Sequence, residues 1–423
     1  MNRCQTTGYN HTGNKEDSDA IDRKDKSMSI LFVNCEFRLF DGIDCGAGNR
    51  STMFVRSLSK VGHVDVLSFY KEPLVSNVPN CDVVQNSKTL QAKHKRWEYW
   101  YANFRLLITP MSPYAYYLFD KPCAEQVDIQ LKKKKYDIVA CRYVKDAVMC
   151  GLLKYADRLV IDVDDNLRSA SLRDIKNTTF KHFHSKWLSL YRANSIQKMG
   201  ERFLAKTKVS FYSNSLEPTS AESVYLHNVT TTSSKCSDIS AGTPPRLLFV
   251  GWLDFRPNRL GILHFADSVF PNIKKVHPEA ELHVVGKTND QSLKEHLNSI
   301  DGVKAMGFVE DLSEEYENCR VVILPVYYGA GTCVKFVEGL MMNRPIVSTP
   351  MGARGYERTC RDGEQYLLAN TDEEFADKVN VLLSNTALAR EIAANAYKVG
   401  MENYSAECFE NIVVNNIKKV FHD

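Results

Sequence analysis

Short, nearly unbroken apolar runs recur along the chain, separated by segments with helical periodicity. Ile30–Asn34, Val64–Phe69, Tyr136–Arg142 and Leu159–Val163 lack the polar alternation of a half-exposed sheet, so they read as strands covered on both faces. Lys208–Tyr212 and Ser223–Leu226 add two shorter strands, and helical period dominates from Leu172 to Leu204. After the first run comes a loop with Gly42, Gly46, Ala47 and Gly48, then Arg50 and a helix through Met53, Val55 and Leu58. Strand, loop, helix, strand in that order predicts a parallel, Rossmann-like sheet. The loop is not Gly-x-Gly-x-x-Gly and no acidic residue is placed for a nicotinamide-cofactor ribose, which argues against a dinucleotide.

The series breaks at residues 230–245, TTTSSKCSDISAGTPP, whose Ser, Thr and Pro content marks an interdomain linker. A second series begins at Arg246 (RLLFVG) and continues through Glu281–Gly286, Val303–Val309, Val321–Leu324 and Ile346–Val347. Five segments are therefore expected. Residues 1–27 are polar and aperiodic, a disordered tail that makes Met28 the start of the functional unit. Residues 28–229 and 246–402 form two Rossmann-like domains around the linker. Residues 403–423 form a last helix, with Phe409, Ile412, Val413, Ile417 and Val420 on one stripe.

Composition adds exclusions. A formal charge of +3 on 423 residues is too small to argue for nucleic acid. No run reaches the roughly 18 apolar residues of a membrane span, and no apolar leader follows the N-terminus. The 12 cysteines form no Cys-x-x-Cys pair, and Cys35, Cys141 and Cys319 sit in or beside apolar runs. Such thiols belong to a reducing cytoplasm rather than to disulfides or structural zinc.

Chemistry concentrates between Gly329 and Gly355, GAGTCVKFVEGLMMNRPIVSTPMGARG. Gly329 and Gly331 lead into Thr332, which is placed to cap a helix whose inner face carries Val334, Val337, Leu340 and Met341. A glycine-rich turn opening into a helix suits an anion, because backbone N–H groups and the helix N-terminus converge on it. Thr332, Lys335 and Glu338 recur every third residue on one face, setting a hydroxyl, an ammonium and a carboxylate in one crevice. The lysine suits a diphosphate and the carboxylate suits ribose hydroxyls. A second small-residue loop, STPMGARG, closes the following strand.

This string resembles the donor-binding segment of the retaining family 4 glycosyltransferases of the GT-B fold, in the subgroup reading G-x-G-T-x-x-K-x-x-E followed by P-hydrophobic-V-S-T. The resemblance implies two Rossmann-like domains facing across a cleft, with sugar transfer from a nucleoside-diphosphate donor to an acceptor hydroxyl and retention of configuration. It implies that Gly329, Ala330, Gly331, Thr332 and Lys335 hold the diphosphate and that Glu338 holds the ribose. Gly48 and Arg256, in the loop Gly251–Asn258, are expected near the phosphates, and Gly307, Phe308 and Val309 at the nucleobase. Two positions depart from the pattern. Ala330 stands where many members carry a sugar-contacting glutamate, and Cys333 replaces a common arginine. The last helix is expected to cross back to the first domain.

Three readings stay open for residues 93–119. Trp97, Trp100, Tyr101 and Phe104 beside Lys93, Lys95, Arg96 and Arg105 suit a packed helix, an acceptor groove or an anionic membrane surface. Asp162-Val163-Asp164-Asp165 ends a strand; Asp-x-Asp invites a metal, but Lys335 already supplies a cation, and no metal or cofactor is expected. Arg142, Asp164 and Asp165 are placed on the acceptor side, where the two aspartates bind hydroxyls or cap a helix. A nucleotide-sugar epimerase and a non-catalytic nucleotide-sugar-binding protein are the rivals, the second favoured by Ala330. The acceptor is expected to be a carbohydrate or a lipid-linked sugar.

Overall fold

The computed structural model describes residues 27–35, 37–41, 46–86, 97, 104, 121–164, 183–213, 223–230, 235–329 and 332–421. Its first part contains β1 (Met28–Asn34), α1 (Gly46–Ser59), β2 (Gly62–Ser68), β3 (Cys81–Asn86), α2 (Lys121–Lys133), β4 (Ile138–Arg142) and α3 (Val144–Met149). A 3-10 stretch, Leu152–Arg158, leads to β5 (Leu159–Asp164), α4 (Phe183–Leu204), β6 (Val209–Tyr212) and β7 (Ser223–Tyr225). These strands lie in the order β3-β2-β1-β4-β5-β6-β7, and every neighbouring pair is parallel.

The apolar runs are continuous because both faces are covered. Ile30 and Phe32 enter the core under α1, while Leu31 and Val33 enter the opposite core under α2 and α3. The edge strand β3 escaped the sequence reading for the converse reason. Its run CDVVQN has only two consecutive apolar residues after Asp82 before Gln85 and Asn86, and Asp82 and Val84 are exposed.

The second domain begins with β8 (Arg246–Val250) and α5 (Arg256–His264), which a π turn at Phe265–Val269 joins to α6 (Phe270–Val276). Then follow β9 (Glu281–Val285), α7 (Gln291–Ser299), β10 (Val303–Gly307), α8 (Ser313–Glu317) and β11 (Val321–Leu324). α9 (Val334–Met341), β12 (Ile346–Ser348), β13 (Leu367–Leu368), α10 (Asp372–Ser384) and α11 (Thr386–Tyr404) complete it, and α12 (Ala406–Phe421) ends the described chain. The sheet order is β10-β9-β8-β11-β12-β13, again with parallel pairs. Side chains of Asp290, Thr371 and Asn385 cap α7, α10 and α11.

Two chain passages join the domains. Residues 226–230 leave the first domain, and 404–406 return to it. In α12, Phe409, Val413 and Ile417 recur every fourth residue and are buried in the first domain's core beside Ile30 and Phe54. The linker is not wholly free: Ile239 belongs to the second domain's core, and Arg320 donates to Ser240 O and Thr243 O. Among the described residues no helix is long and apolar enough to cross a membrane.

Candidate active site

The sheet of the second domain ends, at its carboxyl edge, in glycines that leave room for a side chain from the neighbouring helix. Lys335 in α9 runs across Gly251, where a Cβ would come within 2.6 Å of Lys335 Cε. Its ammonium donates to Asn258 Oδ1 at 2.7 Å and lies 5.5 Å from the centre of the Phe249 ring. Asn258 is buried and spends its amide on Trp252 O at 2.8 Å, which fixes the carboxamide with its oxygen toward the lysine. Gly307 closes β10 with φ +74° and open space where a Cβ would be, and only glycine adopts that backbone without strain. Phe308 after it is exposed, and Val309 packs against the core on the α9 side of the sheet.

One turn beyond Lys335, Glu338 accepts from Tyr316 Oη at 3.4 Å. Burial raises the Glu338 carboxyl above the usual carboxylate range, against the opposing pull of Lys335 and the Tyr316 hydroxyl. Tyr316 itself is fully enclosed. A half-sequestered carboxylate facing an ammonium on the same helix face is the arrangement expected from the three-residue spacing.

Two details of α9 differ from expectation. Cys333, not Thr332, is its N-cap, and no side chain caps it. Thr332 Oγ1 instead accepts from Asn228 Nδ2 at 2.5 Å, across the domain boundary. The buried inner face carries Phe336, Val337 and Leu340, with Phe336 stacked on Tyr356 at 4.5 Å. Val334 faces the other domain, 3.5 Å from where a Cβ on Gly46 would sit. Spacing alone could not separate Val334 from Phe336, since both satisfy part of a helical stripe.

Gly46 to Gly48 are not a loop but the first turn of α1, and Gly48 is buried there. The starts of α1 and α9 thus meet across the domain boundary, and neither has an acidic residue in its first turn. Two positive helix ends side by side favour an anion between them. Gly329 is described, while Ala330 and Gly331 lie outside the described residues.

On the first domain's side, Arg142 is buried rather than presented to an acceptor. Its Nε lies 3.0 Å from Asp162 Oδ2, and Nη1 donates to Ser51 Oγ at 2.9 Å and to Ala47 O. Asp162 is fully enclosed and also takes Arg50 Nε and Nη2, each at 2.8 Å. That carboxylate is engaged by two guanidiniums. Asp164 ends β5, and Asp165 lies outside the described residues. Arg256 is exposed at the first position of α5, where its carbonyl accepts from Tyr328 Oη at 3.0 Å. Sequence reasoning gave no role to Asn258 or the Arg50–Asp162 pair. Their only signal was the Pro257-Asn258 dipeptide and a lone arginine after a glycine-rich stretch.

Residues 244–385 match the family Glycosyl transferases group 1. An uncharacterised 44.6 kDa protein of the cps region of Klebsiella pneumoniae is 26% identical over 310 residues, 67% of this chain and 75% of that protein. Sucrose-phosphate synthase from Thermosynechococcus elongatus superposes with a TM-score of 0.65 at 14% identity, covering 93% of this chain and 99% of the other. Anabaena HepE in complex with UDP and glucose gives 0.61 at 13%, covering 92% and 99%. WaaG, a glycosyltransferase involved in lipopolysaccharide biosynthesis, gives 0.59 at 13%, also covering 92% and 99%. The fold is GT-B, its second domain carries the group 1 match, and the chain is a glycosyltransferase.

Proposed function

We propose that the chain transfers a sugar, with retention of configuration, from a nucleoside-diphosphate donor to a hydroxyl of a growing polysaccharide or glycolipid, as a family 4 glycosyltransferase. The carrying observation is the meeting of two acid-free helix starts beside Lys335. Backbone N–H groups and Lys335 stabilise the leaving diphosphate as the bond between the sugar C1 and the phosphate oxygen breaks. The electron pair stays on that oxygen. The acceptor hydroxyl attacks C1 from the same face, and the leaving phosphate takes its proton. Glu338 binds the ribose, and Phe308 and Val309 border the base. No divalent metal is needed, because Lys335 and the helix ends carry the counter-charge.

UDP is the first nucleotide to try, since HepE was solved with UDP and glucose. The cps-region relative and WaaG direct the acceptor toward surface polysaccharide or lipopolysaccharide. Trp97 and Phe104 support a membrane-side acceptor, since both large apolar side chains are exposed. The rest of residues 93–119 lies outside the described residues.

The test is incubation with UDP-, GDP- and ADP-sugars, with and without EDTA, following products by NMR. Slow release of sugar in the donor's anomeric configuration supports the reading. An isomerised nucleotide sugar would make the chain an epimerase, binding without turnover a non-catalytic protein, and activity lost in EDTA and restored by manganese a metal-dependent enzyme.

A further inference from the structure

A chain of polar contacts runs from the buried centre of the first domain into the donor loop of the second. Asp162 holds Arg50 through both oxygens. Arg50 also donates to Leu226 O at 3.0 Å and His227 O at 2.8 Å, so it pins the passage that leaves the first domain. Its Nη1 reaches Asn228 Oδ1 at 3.1 Å, and Asn228 Nδ2 reaches Thr332 Oγ1 at 2.5 Å. The guanidinium can only donate, so it settles the carboxamide's orientation and leaves the NH2 aimed at the second domain. Asn228 is buried while Thr332 is half-exposed. Thr332 directly precedes the uncapped start of α9, two residues before the turn that presents Lys335.

We infer that Asn228 is a positioning residue that ties the donor loop and the start of α9 to the interdomain passage, making the placement of Lys335 depend on how the two domains stand. The inference rests on the donor-site reading above. An alanine at 228 leaves Arg50 held by Asp162 and two carbonyls, so the anchor survives while the link from 228 to Arg50 and the reach to Thr332 are lost together. Aspartate at 228 keeps both links, accepting from Arg50 with one oxygen and from the Thr332 hydroxyl with the other.

The experiment is calorimetric titration of wild type, Asn228→Ala, Asn228→Asp, Thr332→Val and Thr332→Ser, and the double variant of Asn228→Ala with Thr332→Val. UDP, GDP and ADP are the probes, and each protein is also melted. Loss of one neutral hydrogen bond predicts affinity about five- to tenfold weaker in Asn228→Ala and Thr332→Val. Asn228→Asp and Thr332→Ser should return to within about twofold of wild type. The double variant should be no weaker than Thr332→Val alone, because both remove one contact. Wild-type affinity in Asn228→Ala, additive losses in the double variant, or no rescue by aspartate would overturn the inference. If Asn228→Ala does not fold, the Val and Ser pair at 332 decides it: equal affinities would overturn it. If wild type binds none of the three nucleotides, the donor reading falls and takes this inference with it.

Discussion

At Glu338, function and stability pull apart. Its carboxyl is raised by burial, so the folded state prefers the protonated form. The sign follows: the stabilising contribution is complete below the ordinary carboxylate pKa and is lost as pH rises through the raised value. At neutral pH the charge is therefore a cost, one that the proposed ribose contact would account for. Glu338→Gln should raise the melting temperature by about 2–4 °C at pH 7, yet weaken nucleotide binding roughly tenfold or more. Lys335→Ala should weaken it as much, through the diphosphate. Differential scanning calorimetry and nucleotide titration check both. His227 carries the opposite sign. Burial lowers its pKa from 6.5 to about 4, between Tyr404 and Phe409 at 5.5 and 5.7 Å. Stability from keeping it neutral is present above pH 6.5 and is lost as pH falls toward 4, by about 3 kcal/mol at most. Urea unfolding of wild type from pH 7 to 4 should show this loss, and His227→Phe should flatten it.

Among the elements, α9 carries Lys335 and Glu338, the residues proposed for donor binding. Its N-cap is Cys333, with no side-chain acceptor. Cys333→Asp should cap the helix and add about 1 kcal/mol of stability. The same carboxylate would sit where the diphosphate is expected, so donor affinity should drop by about tenfold or more despite the higher melting temperature. A variant both more stable and tighter-binding would remove the diphosphate from this helix start. The strands show how far element-level patterns reach. β1, β4, β5, β8 and β11 were legible because both faces are buried, whereas β3 was not, because an edge strand keeps one side exposed. The start of α1 was misjudged for a related reason: three small residues look like a loop until the neighbouring helix supplies their packing.

On the scale of the whole molecule, the last helix locks the two domains into one chain path. Phe409 is fully buried in the first domain's core and lies under the Arg50 guanidinium at 5.5 Å. Phe409→Ala should cost about 3–5 kcal/mol of first-domain stability while leaving the second domain's transition in place, visible as a split melting curve. The surface makes its own prediction. If residues 93–119 meet an anionic membrane, the protein should co-sediment with phosphatidylserine vesicles at low salt and release at high salt, each basic residue adding about 1 kcal/mol. Glutamate at Trp97 and Phe104 should abolish this. No co-sedimentation at low salt would point to a soluble acceptor.

What the sequence determined by itself was local and periodic. Unbroken apolar runs meant parallel strands, a Ser/Thr/Pro-rich break meant two domains, and the three-residue spacing of Lys335 and Glu338 put them on one helix face, although Thr332, expected with them, lies ahead of the helix. Each is a relation between near neighbours, which a helix or strand period can encode. Only the tertiary structure decided which distant residues complete the site. Asn258 reaches Lys335 from 77 positions away, Asn228 reaches Thr332 from 104, and Asp162 reaches Arg50 from 112. It also withdrew Arg142 from the surface, because a buried carboxylate must be paired, and Asp162 found its partners in Arg50 and Arg142. Pairing of that kind depends on where sheets and helices bring side chains together, and no spacing along the chain records it.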